Sequence, residues 1–394
     1  MIGLLAGCAA SGSLVSTLGC AAGKKLSPAS APGRVLADLH VHSLINEWNR
    51  TTPMGVRYPG LLKLVEKFAN KTGMNWENCH GAGVDLICVA HFNVFDEWLS
   101  MPTDPNPEAP AHTLQMMNQL EEILNDEAEP YARLARNSFE LDDMLNIPKA
   151  DPRFRTAVVH TVEGGHALGG SLEPVAILAE RGVAIITVTH FFNKGIASAA
   201  NAFPFFPDAG ARPANQGLSE FGRKVIREME KHGIIVDLIH AEPTAVGEIL
   251  AYAKEPVIAT HSSARTLGDH PYSLYDEHIK QISNDGGIIG VIIDPYLLSN
   301  YADLHQAEKE ATLADVVRTV RYMVKLCGTH KSIAIGSDFG GFITGPTDML
   351  RLEQVSHLRK LLIREFGSVE LVEDILANNA INFLKDHWGR GGER

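Results

Sequence analysis

Eight short runs rich in β-branched residues recur along the chain from residue 35 onward. They are Val35–His42, Val84–His91, Thr156–Glu163, Val183–His190, Ile234–His240, Pro256–His261, Ile288–Asp294 and Ser332–Asp338. Apolar residues at helical spacing lie between them, in stretches such as Leu62–Asn70, Thr113–Asp126, Leu172–Arg181, Leu218–Lys231, Thr244–Ala253, Tyr275–Asn284 and Leu313–Leu326. This alternation is typical of a parallel sheet built from βα units. Eight units predict a single-domain (β/α)8 barrel over residues 35–390.

Most of the predicted strands end in a residue that can bind a metal or transfer a proton. These residues are His40, His42, His91, Glu163, His190, His240, His261 and Asp338. In a (β/α)8 barrel, the carboxyl ends of the strands meet at the face where active sites are built. Because a buried imidazole or carboxylate must be paired or desolvated, packing alone explains such a convergence poorly. The pattern therefore predicts a functional site at the barrel mouth.

The first of these strands carries two histidines, His40 and His42, separated by one residue. Residues two apart on a strand point to the same face, so both imidazoles can reach one ion. Together with carboxylates they suit Zn²⁺ best, although Mn²⁺, Fe²⁺ and Co²⁺ also fit. The ligand inventory exceeds one tetrahedral site, which predicts two metal ions bridged by a carboxylate and a hydroxide.

Composition and cysteine spacing exclude several other functions. The formal net charge of −12, with 35 Lys+Arg against 47 Asp+Glu, argues against nucleic-acid binding. The five cysteines form no CxxC pair and no regular spacing, so neither a disulfide scaffold nor a zinc knuckle is indicated. No cysteine lies beside a histidine of these motifs, and no glycine-rich phosphate loop is present.

The first 34 residues differ in composition from the rest of the chain. They are rich in Ala, Gly, Ser and Leu and contain no acidic residue, as in an export leader. Leu5–Cys8 resembles a lipoprotein cleavage site, and Thr17–Cys20 is a poorer version of it. Because no basic region precedes either, Met1 is expected to lie inside a longer signal. We expect an exported protein, periplasmic or held at a bacterial-type membrane by a lipid anchor; a plain unstructured N-terminus is the alternative.

Five segments of the chain resemble one known family in the order in which that family has them. They are Val162–Leu168, Ile185–His190, Phe221–Ile226 with Ile235–His240, Pro256–Ala264 and Ile335–Phe339. The family is that of the membrane (renal) dipeptidases, peptidase family M19, a branch of the metal-dependent amidohydrolase superfamily. The resemblance spans nearly the whole chain after residue 35.

The resemblance implies a role for each matched residue. Glu163 would bridge two Zn²⁺ ions, with His40 and His42 completing the first site and His240 and His261 the second. Asp338 would be the acid/base residue, taking a proton from the bridging water and delivering it to the leaving amine. His190 would hydrogen-bond the tetrahedral oxyanion. Such a site hydrolyses a small peptide or amide substrate when the metal-bridged hydroxide attacks the carbonyl.

The sequence departs from the family pattern at two places. The family usually has Asp where this chain has His42, so the first site loses a negative charge. The family also has an Arg-Asn pair after the His-Ser-Ser segment, and the Arg holds the C-terminal carboxylate of the dipeptide. Alignment places Tyr272 and Ser273 there, and a phenol cannot replace a bidentate guanidinium. Arg265 is the candidate replacement.

Three further histidines and one loop lie near these motifs. His91 can line the pocket, but packing is favoured. His160 lies an odd number of positions from Glu163, which indicates the opposite face of its strand. His166 is expected to orient the Glu163 loop. The aromatic segment 201–207 is predicted to fold over the barrel mouth.

Three functions are consistent with these observations. The first is a binuclear zinc hydrolase of dipeptides or related small amides. The second is an amidohydrolase of the same fold that acts on N-acyl amino acids, cyclic amides or lactones. The third is a catalytically silent surface-binding barrel, against which the intact ligand set argues. A homodimer is compatible with all three.

Overall fold

Parallel strands close into a ring through backbone hydrogen bonds. In chain order the described strands are β1 (Ala37–Val41), β2 (Leu86–His91), β3 (Ala132–Leu134), β4 (Thr156–Glu163), β5 (Val183–Thr187), β6 (Ile235–Asp237), β7 (Ile258–Ser262), β8 (Ile288–Val291) and β9 (Ile333–Ile335). The ring joins eight of them, with β2 pairing directly to β4 and β9 pairing back to β1. The predicted (β/α)8 barrel is confirmed.

The coordinates are those of a computed structural model, which describes residues 33–45, 57–68, 74–99, 104–200, 217–301 and 304–389. All of them belong to one unit, residues 32–394. The predicted leader, apart from its last two residues, and the aromatic segment 201–207 lie outside the described residues.

Helices follow most of the strands and surround the barrel. They are α1 (Pro59–Phe68), α2 (Trp76–Gly81), α3 (Val94–Trp98), α4 (Ala109–Asn125), α5 (Ser138–Leu145), α6 (Glu173–Glu180), α7 (Glu220–Lys231), α8 (Pro243–Tyr252), α9 (Asp276–Asn284), α10 (Pro295–Leu298), α11 (Leu304–Glu310), α12 (Leu313–Cys327), α13 (Val355–Phe366), α14 (Val369–Glu373) and α15 (Asn379–His387). Short 3₁₀ turns at Gly165–Leu168 and Leu352–Gln354 and a π-helical turn at Asp374–Asn378 complete the described elements.

Two differences from the predicted strands affect the site. The first is β3, an additional short strand that pairs with the first half of β4 outside the ring. The second is that several strands end early. His190, His240 and Asp338 each lie three residues beyond the last residue of β5, β6 and β9, respectively. These side chains therefore come from the turns at the barrel mouth rather than from the strands themselves.

The apolar core has two layers. Inside the barrel, Leu39, Leu86, Val159 and other inward residues pack together with apolar residues of α15. Helix α15 also contacts β1, β8 and β9, so it covers one end of the barrel. Between the barrel and the remaining helices lies the larger cluster, made of outward residues such as Ile87 and Val158. Alternation of faces along each strand produces both layers.

None of the helices in the described part of the chain combines the length and the apolar character that a membrane crossing requires.

Candidate metal centre

The carboxylate of Glu163, the last residue of β4, lies at the centre of a group of imidazoles. Its Oε1 atom lies 3.0 Å from Nε2 of His240, 3.4 Å from that of His40 and 3.6 Å from those of His190 and His261, and its Oε2 atom lies 3.2 Å from Nε2 of His42. Burial opposes the charge of this carboxylate, but the imidazoles of His190, His40 and His42 outweigh that effect. They hold the pKa of Glu163 well below its usual range. The structure thus brings together all five residues predicted as ligands.

Strand β1 supplies His40, and His42 follows one residue past its end; the Nε2 atoms of the two lie 3.2 Å apart. Asp38, fully buried, holds this strand in place. Its Oδ1 atom accepts hydrogen bonds from the backbone N–H of His40 at 3.1 Å and of Ser337 at 2.9 Å. Asp38 therefore ties β1 to the turn that carries Asp338.

The charge state of His42 depends on two neighbouring carboxylates. Burial would lower its pKa, but Glu163 and Asp338 raise the pKa of His42 to about 10. A metal ligand must be a neutral imidazole, so a divalent ion competes with this proton.

A chain of hydrogen bonds orients His261 on β7. Its Nδ1 atom lies 2.9 Å from the hydroxyl of Thr260, which donates to Asp237 at 2.7 Å. Since the hydroxyl hydrogen is used on Asp237, the hydroxyl accepts a hydrogen from Nδ1 of His261. This leaves the lone pair of His261 Nε2 directed towards Glu163, the tautomer that a metal ligand requires.

The backbone is strained at two of the residues predicted to act in catalysis or ligation. His240 has φ 66° and Asp338 has φ 63°, and within the described ranges no other non-glycine residue has a positive φ. Such conformations cost of order 1–3 kcal/mol each and cluster at functional sites. Gly340, with φ 79°, completes the turn after Asp338, where a Cβ would collide with the backbone carbonyl of His42.

The ligand atoms fit divalent metal. Three groups of donor atoms each lie within 4.8 Å of one another: His40 with His42 and Asp338, His40 with Glu163 and His261, and Glu163 with His190 and His240. Imidazole nitrogens with carboxylate oxygens are the donors that Zn²⁺ and its neighbours prefer. The grouping differs in detail from the predicted division into two sites, because His261 lies with His40 and His240 with His190. Glu163 and His40 each belong to two of the three groups, and Glu163 is the carboxylate among these two.

His190 is the residue predicted to bind the oxyanion. One of its ring nitrogens faces the cluster, and the other faces a buried glutamate. Its Nδ1 atom lies 2.8 Å from Oε2 of Glu97. Burial lowers the pKa of His190 to about 4, and it raises the pKa of Glu97. Sequence reasoning missed Glu97, because a glutamate in the short helix α3 carries no motif and gives no signal of a site.

Tyr272, predicted to stand where the family has its Arg, is buried beside the ligands. Its hydroxyl donates to the backbone carbonyl of His261 at 2.5 Å, and its ring lies edge-on to His240 with centroids 4.8 Å apart. Burial, followed by the charges of Asp338 and Glu163, raises the pKa of Tyr272 well above its usual range. Tyr272 is therefore neutral, and its one donor is already used within the protein.

Arg265, the candidate replacement for that Arg, makes its described contacts away from the cluster. Its Nε atom donates to Asp269 at 2.8 Å, and its guanidinium lies over the ring of Tyr275, 4.7 Å from the centroid. In this arrangement its charge is balanced by Asp269.

The remaining histidines of the motifs lie around the site. His160 faces away from Glu163, as the odd spacing predicts, and binds His91 at 2.8 Å and Glu121 of α4 at 3.4 Å. His91 therefore packs outside the barrel instead of lining the pocket, which is the alternative that the sequence favours. His166 is buried within the 3₁₀ turn Gly165–Leu168 that follows Glu163, with its ring edge-on to Phe92, centroids 5.6 Å apart.

Fold and donor set together define a (β/α)8 barrel with a candidate metal site at the carboxyl ends of its strands. The family model of the membrane dipeptidases (peptidase family M19) matches residues 79–387, which include Glu163, His190, His240, His261 and Asp338. The chain belongs to the membrane dipeptidase family. His40 and His42 precede the matched region, and the barrel itself joins them to the other ligands.

Relatives and solved structures agree with this assignment. The chain is 28% identical to dipeptidase tcpJ of Claviceps purpurea over 277 residues, 70% of this chain and 59% of that protein. It is 28% identical to dipeptidase aclJ of Aspergillus oryzae over 225 residues, 57% of this chain and 50% of that protein. The chain thus spans about half the length of the curated relatives it matches.

Two solved structures share the fold. Dipeptidase AC, a metallopeptidase of family M19, superimposes with a TM-score of 0.72 at 18% identity, covering 91% of this chain and 100% of that one. A metallopeptidase from Rhodobacter sphaeroides, bound to a phosphinate mimic of the dipeptide L-Ala-D-Ala, superimposes with a TM-score of 0.69 at 18% identity and the same coverage.

Proposed function

We propose that the protein is a metal-dependent hydrolase of dipeptides or closely related small amides and holds two Zn²⁺ ions. The observation that carries this proposal is the Glu163 carboxylate, which five imidazoles approach within 3.6 Å at the mouth of a membrane dipeptidase barrel. A single carboxylate in that position can serve two ions. As the family resemblance implies, His40 and His42 would hold one ion and His240 and His261 the other. Because the donor atoms of His40 and His261 also lie within 4.8 Å of each other, the two ions would be close neighbours.

Bound metal would supply Lewis-acid polarisation of the scissile carbonyl and would lower the pKa of water. Two residues of the chain then act on the substrate. Asp338 would exchange protons with water and with the leaving amine, and its side chain is 13% exposed against 3% for Glu163, which supports this assignment. His190 supports the oxygen on which negative charge develops.

The substrate class depends on which residues bind the C-terminal end of the substrate. A free dipeptide has a C-terminal carboxylate, and an enclosed carboxylate without a charged partner costs several kcal/mol. Tyr272 is neutral, and its hydroxyl already donates a hydrogen bond to the backbone carbonyl of His261. Arg265 is paired with Asp269. We therefore propose that substrates without this charge, such as dipeptide amides or cyclic amides, have a kcat/KM closer to that of a free dipeptide here than in other family members.

The second candidate function follows from the same observation. An amidohydrolase acting on N-acyl amino acids, cyclic amides or lactones would need no guanidinium at the position of Tyr272. The two functions differ in the ratio of kcat/KM for a free dipeptide and for its C-terminal amide.

The experiment is an assay of the zinc-loaded protein with a dipeptide, its amide, an N-acyl amino acid and a lactone, together with metal analysis. Cleavage of the dipeptide amide with a kcat/KM at least equal to that of the free dipeptide is expected. A strong preference for the free acid would show that another group binds the carboxylate. No hydrolysis by metal-loaded protein would support the silent binding barrel instead.

We also propose that the chain is exported and anchored through Cys8, on the evidence of the leader sequence alone. Cell fractionation with a labelled fatty acid tests this proposal. Label should enter the membrane-bound protein and should be lost in the Cys8→Ser variant but kept in Cys20→Ser. Unlabelled protein in the cytoplasm would contradict it.

A further inference from the structure

A completely buried glutamate, Glu97, lies against the site without being a member of the ligand set. It belongs to α3, the short helix that follows β2. Its side chain has no exposed surface. A buried carboxylate is costly unless hydrogen bonds satisfy it, so its partners indicate why the position holds a glutamate.

The two oxygens of Glu97 bind the loop that carries His190. Oε1 accepts hydrogen bonds from the backbone N–H groups of Phe191 at 2.8 Å and Phe192 at 3.0 Å. Oε2 lies 2.8 Å from Nδ1 of His190. One side chain therefore fixes both the backbone after His190 and the ring of His190 itself.

Three rings enclose the same imidazole. Phe191 lies 3.7 Å, His240 4.2 Å and Phe92 4.4 Å from it, centroid to centroid. These contacts restrict its translation, but flat rings do not decide which nitrogen faces the cluster. The hydrogen bond between Glu97 Oε2 and Nδ1 does, and it leaves Nε2 as the nitrogen directed at Glu163, 3.6 Å away. To donate to an oxyanion, Nε2 must carry the one ring hydrogen, so in this role Nδ1 accepts a hydrogen from the protonated Oε2 of Glu97.

We propose that Glu97 is the positioning residue for His190, and that the protein depends on it to direct Nε2 at the substrate oxygen that becomes negative. This inference rests on the proposed function. Groups that stabilise a transition state must be held in place before the reaction, so a small rotation of the ring costs rate rather than ground-state binding. Glu97 itself does not touch the substrate.

Two replacements of Glu97 distinguish the orientation of the His190 ring from the carboxyl group itself. Glutamine keeps the hydrogen bonds without the carboxyl group, and leucine removes both. In Glu97→Gln, the amide oxygen can accept from Phe191 and Phe192 while the amide NH₂ donates to Nδ1, so Nε2 still faces the cluster. In Glu97→Leu the ring loses its partner. Asp96→Asn is the matched control, since Asp96 lies in the same helix and binds Asn93, Asn106 and His112 rather than His190.

The test is a double-mutant cycle on the full-length, zinc-loaded protein. kcat and KM for a dipeptide amide, and the calorimetric Kd of a phosphinate dipeptide mimic, are measured in wild type, in the single variants Glu97→Leu, Glu97→Gln, Asp96→Asn and His190→Ala, and in the double variants Glu97→Leu/His190→Ala and Asp96→Asn/His190→Ala. Metal content is checked in each. Residues that act through one another show non-additive effects.

Glu97→Leu should lower kcat about 10²-fold, a typical size for a hydrogen bond to the transition state. KM should change less than about threefold, and the phosphinate should bind about 10²-fold more weakly. Glu97→Gln should stay within about tenfold of wild type, and Asp96→Asn should not be coupled to His190→Ala. The double variant should be no slower than His190→Ala alone.

Two results would overturn the inference while the proposed function stands. One is an active wild type in which Glu97→Leu lowers kcat by the same factor with and without His190. The other is a Glu97→Leu variant within twofold of wild type in both kcat and phosphinate affinity. A wild type that neither hydrolyses any of the substrates nor binds the phosphinate would instead contradict the proposed function, and the inference with it.

Discussion

The Oδ1 atom of Asp338 lies 3.3 Å from Nε2 of His42. Its described ion-pair contacts are to His42 and, at 3.9 Å, to His40, whereas five imidazoles surround Glu163, so Asp338 lies at the edge of the cluster and Glu163 at its centre. The position allows two interpretations, because Asp338 also belongs to a donor group with His40 and His42. A residue that carries protons and a residue that holds metal respond differently to loss of charge.

Replacing Asp338 with Asn separates these interpretations. The amide keeps the shape of the side chain but cannot take up a proton, so kcat should fall about 10²-fold or more. Metal content should stay near the wild-type value. Mass spectrometry of the metals and steady-state kinetics on one preparation measure both. Loss of metal in step with activity would identify Asp338 as a ligand.

Glu163→Gln should affect metal binding more than any single histidine replacement. The wild type is expected to bind about two divalent ions per chain, and because Glu163 serves both, its replacement should remove more than one. Equilibrium dialysis against Zn²⁺ counts the ions. Glu121→Gln, in helix α4 outside the barrel, is the control and should bind as wild type does. A variant that keeps two tight ions would contradict the shared carboxylate.

Tyr272 offers a test of substrate charge. Tyr272→Arg should raise the ratio of kcat/KM for a free dipeptide over that for its amide, since a guanidinium can pair with the carboxylate. Tyr272→Phe should leave that ratio unchanged and cost about 1 kcal/mol of stability, because among the described residues the partner of the hydroxyl is the His261 carbonyl. An altered ratio in Tyr272→Phe would show that the hydroxyl contacts substrate.

The buried pair His91 and His160 predicts a loss of stability in acid. Burial is the largest cause that lowers the pKa of both, and it outweighs the opposing effect of Glu121 on His160. In the unfolded chain both titrate near their ordinary pKa of about 6.5. The unfolded state therefore binds more protons below about pH 6.5, and stability falls as the pH drops, by at most about 1.4 kcal/mol per pH unit for each group.

Urea unfolding of chelator-treated protein between pH 7.5 and 5.5 measures this slope. Chelation removes the contribution of metal release. His91→Leu should show a shallower fall than wild type, since one of the two neutral imidazoles is gone. Equal slopes in the two proteins would assign the acid sensitivity to other groups.

The barrel and its ligands could be predicted from sequence because each strand carries its own local pattern. β-branched runs mark the strands, and a histidine or an acid marks the end of most of them, so the parallel topology brings His40, Glu163 and His261 together. Strand β3 could not be found in this way. Its three residues are held by pairing with β4, and pairing between distant segments leaves no local signal.

The partners that orient the ligands were also hidden in the sequence. Glu97 and His190 are 93 positions apart, and only the closed barrel brings them within 2.8 Å. The true ends of β5, β6 and β9 were missed because the predicted runs continue into the turns. There the backbone of His240 and Asp338 adopts a positive φ, a conformation uncommon for residues other than glycine.

The central claim is that Glu163 holds two metal ions that together make this barrel a hydrolase of small amides. The most direct measurement adds Zn²⁺ stepwise to metal-free protein and follows hydrolysis of a dipeptide amide at each step. Activity should rise to a plateau at about two equivalents per chain in wild type, and the same titration of Glu163→Gln should give no plateau at that ratio. Full activity at one equivalent, unchanged by Glu163→Gln, would contradict the account.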